Sequence, residues 1–168
     1  MTLAISTNSF QAWRTPKHIH EALAEDFGQF DLDAAADLDN AIAGAFLSEK
    51  ENALAPTTRW DADVVWCNPP YKKILPWVER ARLAVSRTEA KRVVMLLPAQ
   101  VSSKWFTVAV THGEVQTYQG RICFDLPPDM FNARRPAIAN LVVIFGTHRR
   151  GLTGIRSAKT GALIETLE

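Results

Sequence analysis

Apolar residues recur along this chain in two rhythms, one helical and one alternating, and their order sketches an α/β domain. Thr15 can cap a helix with Pro16 at its first position, and Ile19, Ala22, Leu23 and Phe27 repeat at helical spacing as far as Gly28. Phe30-Asp31-Leu32-Asp33 alternates like a short strand and runs into the small side chains Ala34-Ala35-Ala36, and a weaker helical pattern follows from about Asp39 to Leu47. An apolar run over 63–67 predicts a second strand. Pro76 then opens a helix with Trp77, Val78, Ala81, Ala84 and Val85 on its inner side. Arg92 to Pro98 is almost continuously apolar, as expected of a strand covered on both faces. Ser102 or Ser103 can cap a helix carrying Trp105, Phe106, Ala109 and Val110, and strands are predicted near 114–118, 121–125 and 138–145. Strands alternating with helices and followed by a β-rich end predict a three-layer α/β fold whose sheet has an antiparallel edge.

Around this domain, assigned to residues 13–146, lie a small polar arm over 1–12 and a polar, basic tail over 147–168, read first as a solvated terminus and second as a stretch that follows a phosphate backbone. The chain of 168 residues is long enough for one real core, and it shows neither an internal repeat nor a second domain. With no bilayer-length apolar stretch and no leader-like N-terminus, a cytoplasmic location is expected. Cys67 and Cys123 both fall in predicted strands without metal-ligand spacing, which predicts reduced core thiols and no metal site.

The formal net charge of +1 conceals a division. Residues 1–60 carry four lysines and arginines against nine acids, a balance of −5, while residues 61–168 have a balance of +6. An acidic half suits a cationic cofactor such as S-adenosylmethionine, and a basic half suits a polyanion such as nucleic acid.

Asn68-Pro69-Pro70-Tyr71 sharpens the picture, because it follows the apolar run directly and sits where open α/β sheets bind ligands. An exocyclic amine on a planar base is a poor nucleophile until its N–H groups are held and its lone pair turns out of conjugation. The Asn68 side-chain oxygen and the Pro69 carbonyl can accept those two N–H bonds, with Pro69 and Pro70 fixing the backbone, while Tyr71 offers a face for stacking. Such a base must have left the duplex stack. In a chain of this length the tetrapeptide arises by chance on the order of once in a thousand.

Taken in order, several motifs resemble the phage-type, Dam-like DNA N6-adenine methyltransferases found in bacteriophages and prophages. They are Trp13-x-Thr15-Pro16, Leu32-Asp33-x-Ala35-Ala36 with Asn40-Ala41, and Trp66-x-Asn68-Pro69-Pro70-Tyr71 with Pro76-Trp77-Val78. Leu97-Pro98-Ala99, Trp105-Phe106, Gly120-Arg121-x-x-Phe124 and the strand Leu141 to Phe145 support them. The resemblance spans roughly residues 13–146. It implies a Rossmann-like methyltransferase fold that uses S-adenosylmethionine to methylate adenine N6 in DNA.

By the same resemblance Thr15 and Pro16 would close over the methionine end of the cofactor, Asp33, Ala34 and Ala35 would lie beside it, and Asp37 and Asn40 would reach its ribose or adenine. Asn68, Pro69, Pro70 and Tyr71 would carry the reaction. Lys72, Lys73, Phe131, Arg134 and Arg135 would meet the DNA. Two features depart from the family pattern: the cofactor loop lacks glycine, and only 35 positions separate Asp33 from Asn68, which predicts a reduced sheet. With no insertion for target recognition, sequence preference would come from loops or from a second subunit in a homodimer. Methylation of RNA adenine or protein glutamine, and a non-catalytic DNA-binding relative, are the alternatives the same residues allow.

Overall fold

In a computed structural model the described residues are 13–128 and 137–168. Strand and helix bounds follow the apolar rhythms closely in the centre of the chain. The helices are α1 (Lys17–Phe27), α2 (Ile74–Ser86) and α3 (Lys104–His112). The strands are β1 (Leu32–Asp33), β2 (Ala45–Phe46), β3 (Ala62–Cys67), β4 (Ala90–Pro98) and β5 (Glu114–Gln119), followed by β6 (Ile122–Cys123), β7 (Ala137–Ile138), β8 (Asn140–Phe145), β9 (Gly151–Ser157) and β10 (Leu163–Thr166).

Eight strands form one mixed sheet in the order β10-β9-β5-β8-β4-β3-β1-β2, and β6 pairs with β7 in a separate ribbon. β4, β3, β1 and β2 run parallel, and β8 enters antiparallel between β4 and β5. Strand alternation divides the core. On β4, Val93, Met95 and Leu97 face α2 and α3, while Val94 and Leu96 face α1; on β8, Leu141, Val143 and Phe145 divide from Val142 and Ile144 in the same way. Both strands are therefore buried on two faces, and the result is a three-layer, Rossmann-like α/β fold. Among the described residues, no helix is long and apolar enough to cross a membrane.

Three local expectations are corrected. The stretch from Asp39 to Leu47 is not helical: turns lead into the two-residue strand β2, which pairs in parallel with β1, and the Asp33 carboxylate holds the Ile42 N–H on the way. Between β1 and β3, the strand that leads to Asn68, the sheet gains only the two-residue β2, so the compression anticipated there is real. The second correction concerns Cys123, which is exposed on β6, whereas Cys67 is buried; both thiols are free.

The third correction is larger, because residues 151–166 are not a solvated tail. β9 pairs in parallel with β5, and β10 closes the edge antiparallel to β9. Arg156 on β9 is fully buried. Its guanidinium donates to Gln116 Oε1 at 2.6 Å, to the Gly161 carbonyl at 2.9 Å and to Asp26 at 2.6 Å, and it lies 5.4 Å from the Phe27 ring centroid. Gly161 turns the chain at φ +77 so close to α1 that a Cβ there would stand 2.4 Å from the His18 carbonyl. The segment is thereby docked on the first helix.

Candidate active site at the carboxyl ends of the parallel strands

Asp33 ends β1 and Trp66 lies opposite it on β3, so Asn68, two residues on, emerges beside the β1 loop. A parallel pair delivers both segments to the same edge of the sheet, where no further strand covers them. The cleft at that edge has a volume of about 170 Å³. Of the residues predicted to act, Thr15, Asp33, Ala35, Asp37, Asn40, Asn68 and Pro70 line it together.

Asn68 is tied across the cleft. Its Nδ2 donates to Thr15 Oγ1 at 3.1 Å, which leaves its amide oxygen as the acceptor for a ligand. Thr15 is consequently not the helix cap its sequence position suggested. Pro16 occupies the cap of α1, with no side-chain capping bond, and the Thr15 hydroxyl is engaged by Asn68 instead. Pro69 is buried, so its side chain braces the turn from below.

Asp33 organises the loop that faces this pair. Its carboxylate accepts from the Ala35 and Ile42 N–H groups, each at 3.2 Å, and is almost fully buried. Burial raises its pKa to about 6, against the opposing pull of the two N–H bonds. Ala34 is wholly buried behind the loop, with its N–H donating to the Trp66 carbonyl, so it supports the cleft from the core and does not line it. Asn40 Oδ1 accepts the Asp37 N–H at 2.7 Å and closes the next turn.

Tyr71 lies just outside the cleft lining. Its ring packs on the α2–α3 side of the core, and its hydroxyl accepts from Asn140 Nδ2 at 3.1 Å. Burial pushes the phenol pKa upward, so the hydroxyl stays protonated. Lys72 and Lys73 are exposed immediately beyond, and Lys73 begins α2. Phe131, Arg134 and Arg135 lie outside the described residues, as does the arm over 1–12.

Several lining residues were not singled out from the sequence. Leu47, Ser48, Glu49, Asn52, Ala53 and Leu54 form a wall of the cleft, and Trp77, expected in the core, is half-buried and also lines it. A signal for that wall does exist, since Ser48-x-x-Glu51 is a capping-box pattern and the Glu51 carboxylate accepts from both the N–H and the hydroxyl of Ser48. Trp60, Trp66 and Trp105 are core residues as expected. Among the described residues the cleft joins three acids, Asp33, Asp37 and Glu49, with apolar surface from Ile42, Leu54 and Trp77, and Arg14 is the single basic residue in that lining. That donor set fits a ligand combining positive charge, hydroxyl groups and a flat ring.

Comparison with known proteins points to one family. The model of the family described as DNA N-6-adenine-methyltransferase (Dam) matches residues 5–163, a span that includes β9 and reaches the start of β10. A DNA N-6-adenine-methyltransferase of Escherichia phage T1 is 36% identical over 99 residues, covering 58% of this chain and 40% of that protein. Its namesake from Haemophilus phage HP1 is 36% identical over 107 residues, covering 63% of this chain and 60% of that protein. The matched stretch thus spans less than two thirds of either relative. A solved protein of Thermoplasma acidophilum aligns with a TM-score of 0.48 at 12% identity, covering 78% of this chain and 87% of that one.

Proposed function

The chain belongs to the DNA N-6-adenine-methyltransferase (Dam) family, and from that premise we propose that it transfers a methyl group from S-adenosylmethionine to the N6 amine of an adenine in DNA. The observation that carries this reading is the Asn68 amide, held by Thr15 at 3.1 Å in an acid-lined cleft with its oxygen left over as acceptor. A planar amine entering there meets the Asn68 oxygen and the Pro69 carbonyl. Two accepted N–H bonds draw the nitrogen lone pair out of the ring, and the amine becomes nucleophilic.

The cleft has the residues to hold S-adenosylmethionine. Asp37 and Glu49 offer negative charge and hydroxyl acceptors, Asp33 shapes the loop between them, and Ile42, Leu54 and Trp77 offer apolar surface to a ring. When bound, the cofactor supplies a methyl group made electrophilic by its sulfonium. Everything else falls to the chain: Asn68 and Pro69 orient the amine, Tyr71 gives the base a stacking surface, and Lys72 and Lys73 stand where phosphates would pass. The amine proton can leave after transfer, so no carboxylate base is needed. An adenine in duplex DNA would have to swing out of the stack to reach this position.

The test is direct. Protein incubated with isotopically labelled S-adenosylmethionine and separate DNA, RNA and protein acceptors, followed by digestion, is expected to yield label in N6-methyldeoxyadenosine. Label confined to RNA adenosine or to protein glutamine would overturn the substrate assignment, and cofactor binding without transfer to any acceptor would overturn the reaction.

A further inference from the structure

We propose that Asn140, at the start of β8, is a positioning residue for the reaction because it fixes the ring of Tyr71 from behind; the inference rests on the methyl-transfer reading above. Asn140 is 1% exposed and stands 69 positions from Tyr71 in the chain. Its Nδ2 makes two bonds, to the Tyr71 hydroxyl and to the Leu97 carbonyl, each at 3.1 Å. The Tyr71 hydroxyl in turn points to the Leu96 carbonyl at 3.5 Å. Asn140 thus links the reacting turn to the end of β4, the strand it pairs with at Pro98.

The chemistry of Asn140 argues against a role as simple filling. It begins a strand whose remaining residues, Leu141-Val142-Val143-Ile144-Phe145, are apolar and buried. Its Oδ1 is buried and has no hydrogen-bond partner among the described residues. An unsatisfied buried acceptor costs stability, and an apolar side chain at this position would avoid that cost. What the amide supplies in exchange is a donor shared between the Tyr71 phenol and the Leu97 carbonyl, so the ring is tied to the end of β4. Tyr71 follows two prolines whose backbone is stiff, so with its hydroxyl held the ring has one orientation relative to Asn68. Methyl transfer depends on that orientation, since the amine must meet the methyl group in line, and small misplacements are expensive in rate.

The test is a double-mutant cycle with Asn140→Ala, Tyr71→Phe and the pair combined. Asn140→Ala is expected to lower the single-turnover methylation rate about tenfold while the cofactor KM stays within about twofold, and Tyr71→Phe is expected to match it. The double variant should be no slower than either single variant, because both remove the same link. An unchanged rate in Asn140→Ala, or losses that multiply in the double variant, would overturn the proposal. If Asn140→Ala does not fold, Asn140→Ser keeps a short polar side chain and runs the same cycle. A readout without substrate separates this inference from the functional reading. The chain has two tyrosines, so Tyr118→Phe assigns the ring signal of Tyr71 in isotope-labelled protein by NMR. That signal should shift and average in the Asn140 variant; if it stays as in the wild type, the positioning role falls while the methyl-transfer reading is left untouched.

Discussion

Asn68 and Thr15, 53 positions apart, meet through a hydrogen bond of 3.1 Å from the asparagine amide to the threonine hydroxyl. The bond selects which end of the amide faces the cleft: with Nδ2 engaged, the oxygen is the end offered to an incoming amine. Thr15→Val keeps the volume and removes the acceptor, so the amide is free to turn over. Turnover is expected to fall about tenfold in Thr15→Val, in line with the loss of one hydrogen bond, and to be largely retained in Thr15→Ser. Asn68→Ala removes the acceptor itself and should cost at least about a hundredfold. Rapid-quench methylation assays would measure both, and a Thr15→Val enzyme as fast as the wild type would show that the bond does not set the amide.

Asp33 carries a raised pKa, about 6 against an ordinary 3.8, because burial outweighs the two N–H bonds that its carboxylate accepts. A carboxyl of this kind adds stability that is fully present below about 3.8 and lost as pH rises through about 6. The stability of the wild type relative to Asp33→Asn should therefore decline by up to about 3 kcal/mol between pH 4 and pH 7, a shift of roughly two pKa units. Urea titrations across that range would detect it. The ionised form also suits a cationic ligand, so binding of S-adenosylmethionine should weaken as pH falls below about 6 in the wild type and not in Asp33→Asn. A parallel pH dependence in both proteins would assign the effect to another group.

Beneath the cleft wall Arg80 and Glu89 form a buried ion pair, with side chains 9% and 3% exposed. Arg80 also donates to the Thr58 carbonyl at 2.7 Å and stacks on Trp60 at 5.0 Å, while Glu89 accepts the Trp60 N–H at 3.0 Å. Together they hang the 58–60 segment from α2. Glu89→Ala leaves the guanidinium buried without its partner and should destabilise the fold by roughly 3–5 kcal/mol. Chemical denaturation would give the figure, and a loss below about 1 kcal/mol would mean that water replaces the carboxylate.

Removal of residues 147–168 should prevent folding, because it exposes β5 along its length and leaves Asp26 without Arg156. A milder probe is Arg156→Ala, which deletes a fully buried side chain with three hydrogen-bond partners. Its expected cost is on the order of 3 kcal/mol, by loss of both packing and bonds to a charged group. Calorimetry should show a lower Tm with cofactor affinity little changed in the fraction that remains folded. Normal folding of the truncated chain would return the segment to the status of a tail.

β4 and β8 were legible from the sequence because a strand covered on both faces must be apolar at successive positions, and that requirement is local. The position of Asn68-Pro69-Pro70-Tyr71 was legible for a related reason: the four residues follow directly on an apolar run, and the structure puts them at the end of β3. The helix expected over 39–47 failed because the segment runs through turns into β2 and pairs with β1, a partner that the local pattern does not contain.

Local pattern in this chain therefore determined the alternation of strands and helices, the two-faced core and the place of the Asn68-Pro69-Pro70-Tyr71 turn. Tertiary structure alone decided that Thr15 serves Asn68, that Asn140 serves Tyr71, and that the basic C-terminal stretch completes the sheet with Arg156 buried against Asp26 across 130 positions. The physical reason is that a polar side chain looks the same in sequence whether water or a distant partner satisfies it, and only the packed chain brings that partner within hydrogen-bonding distance.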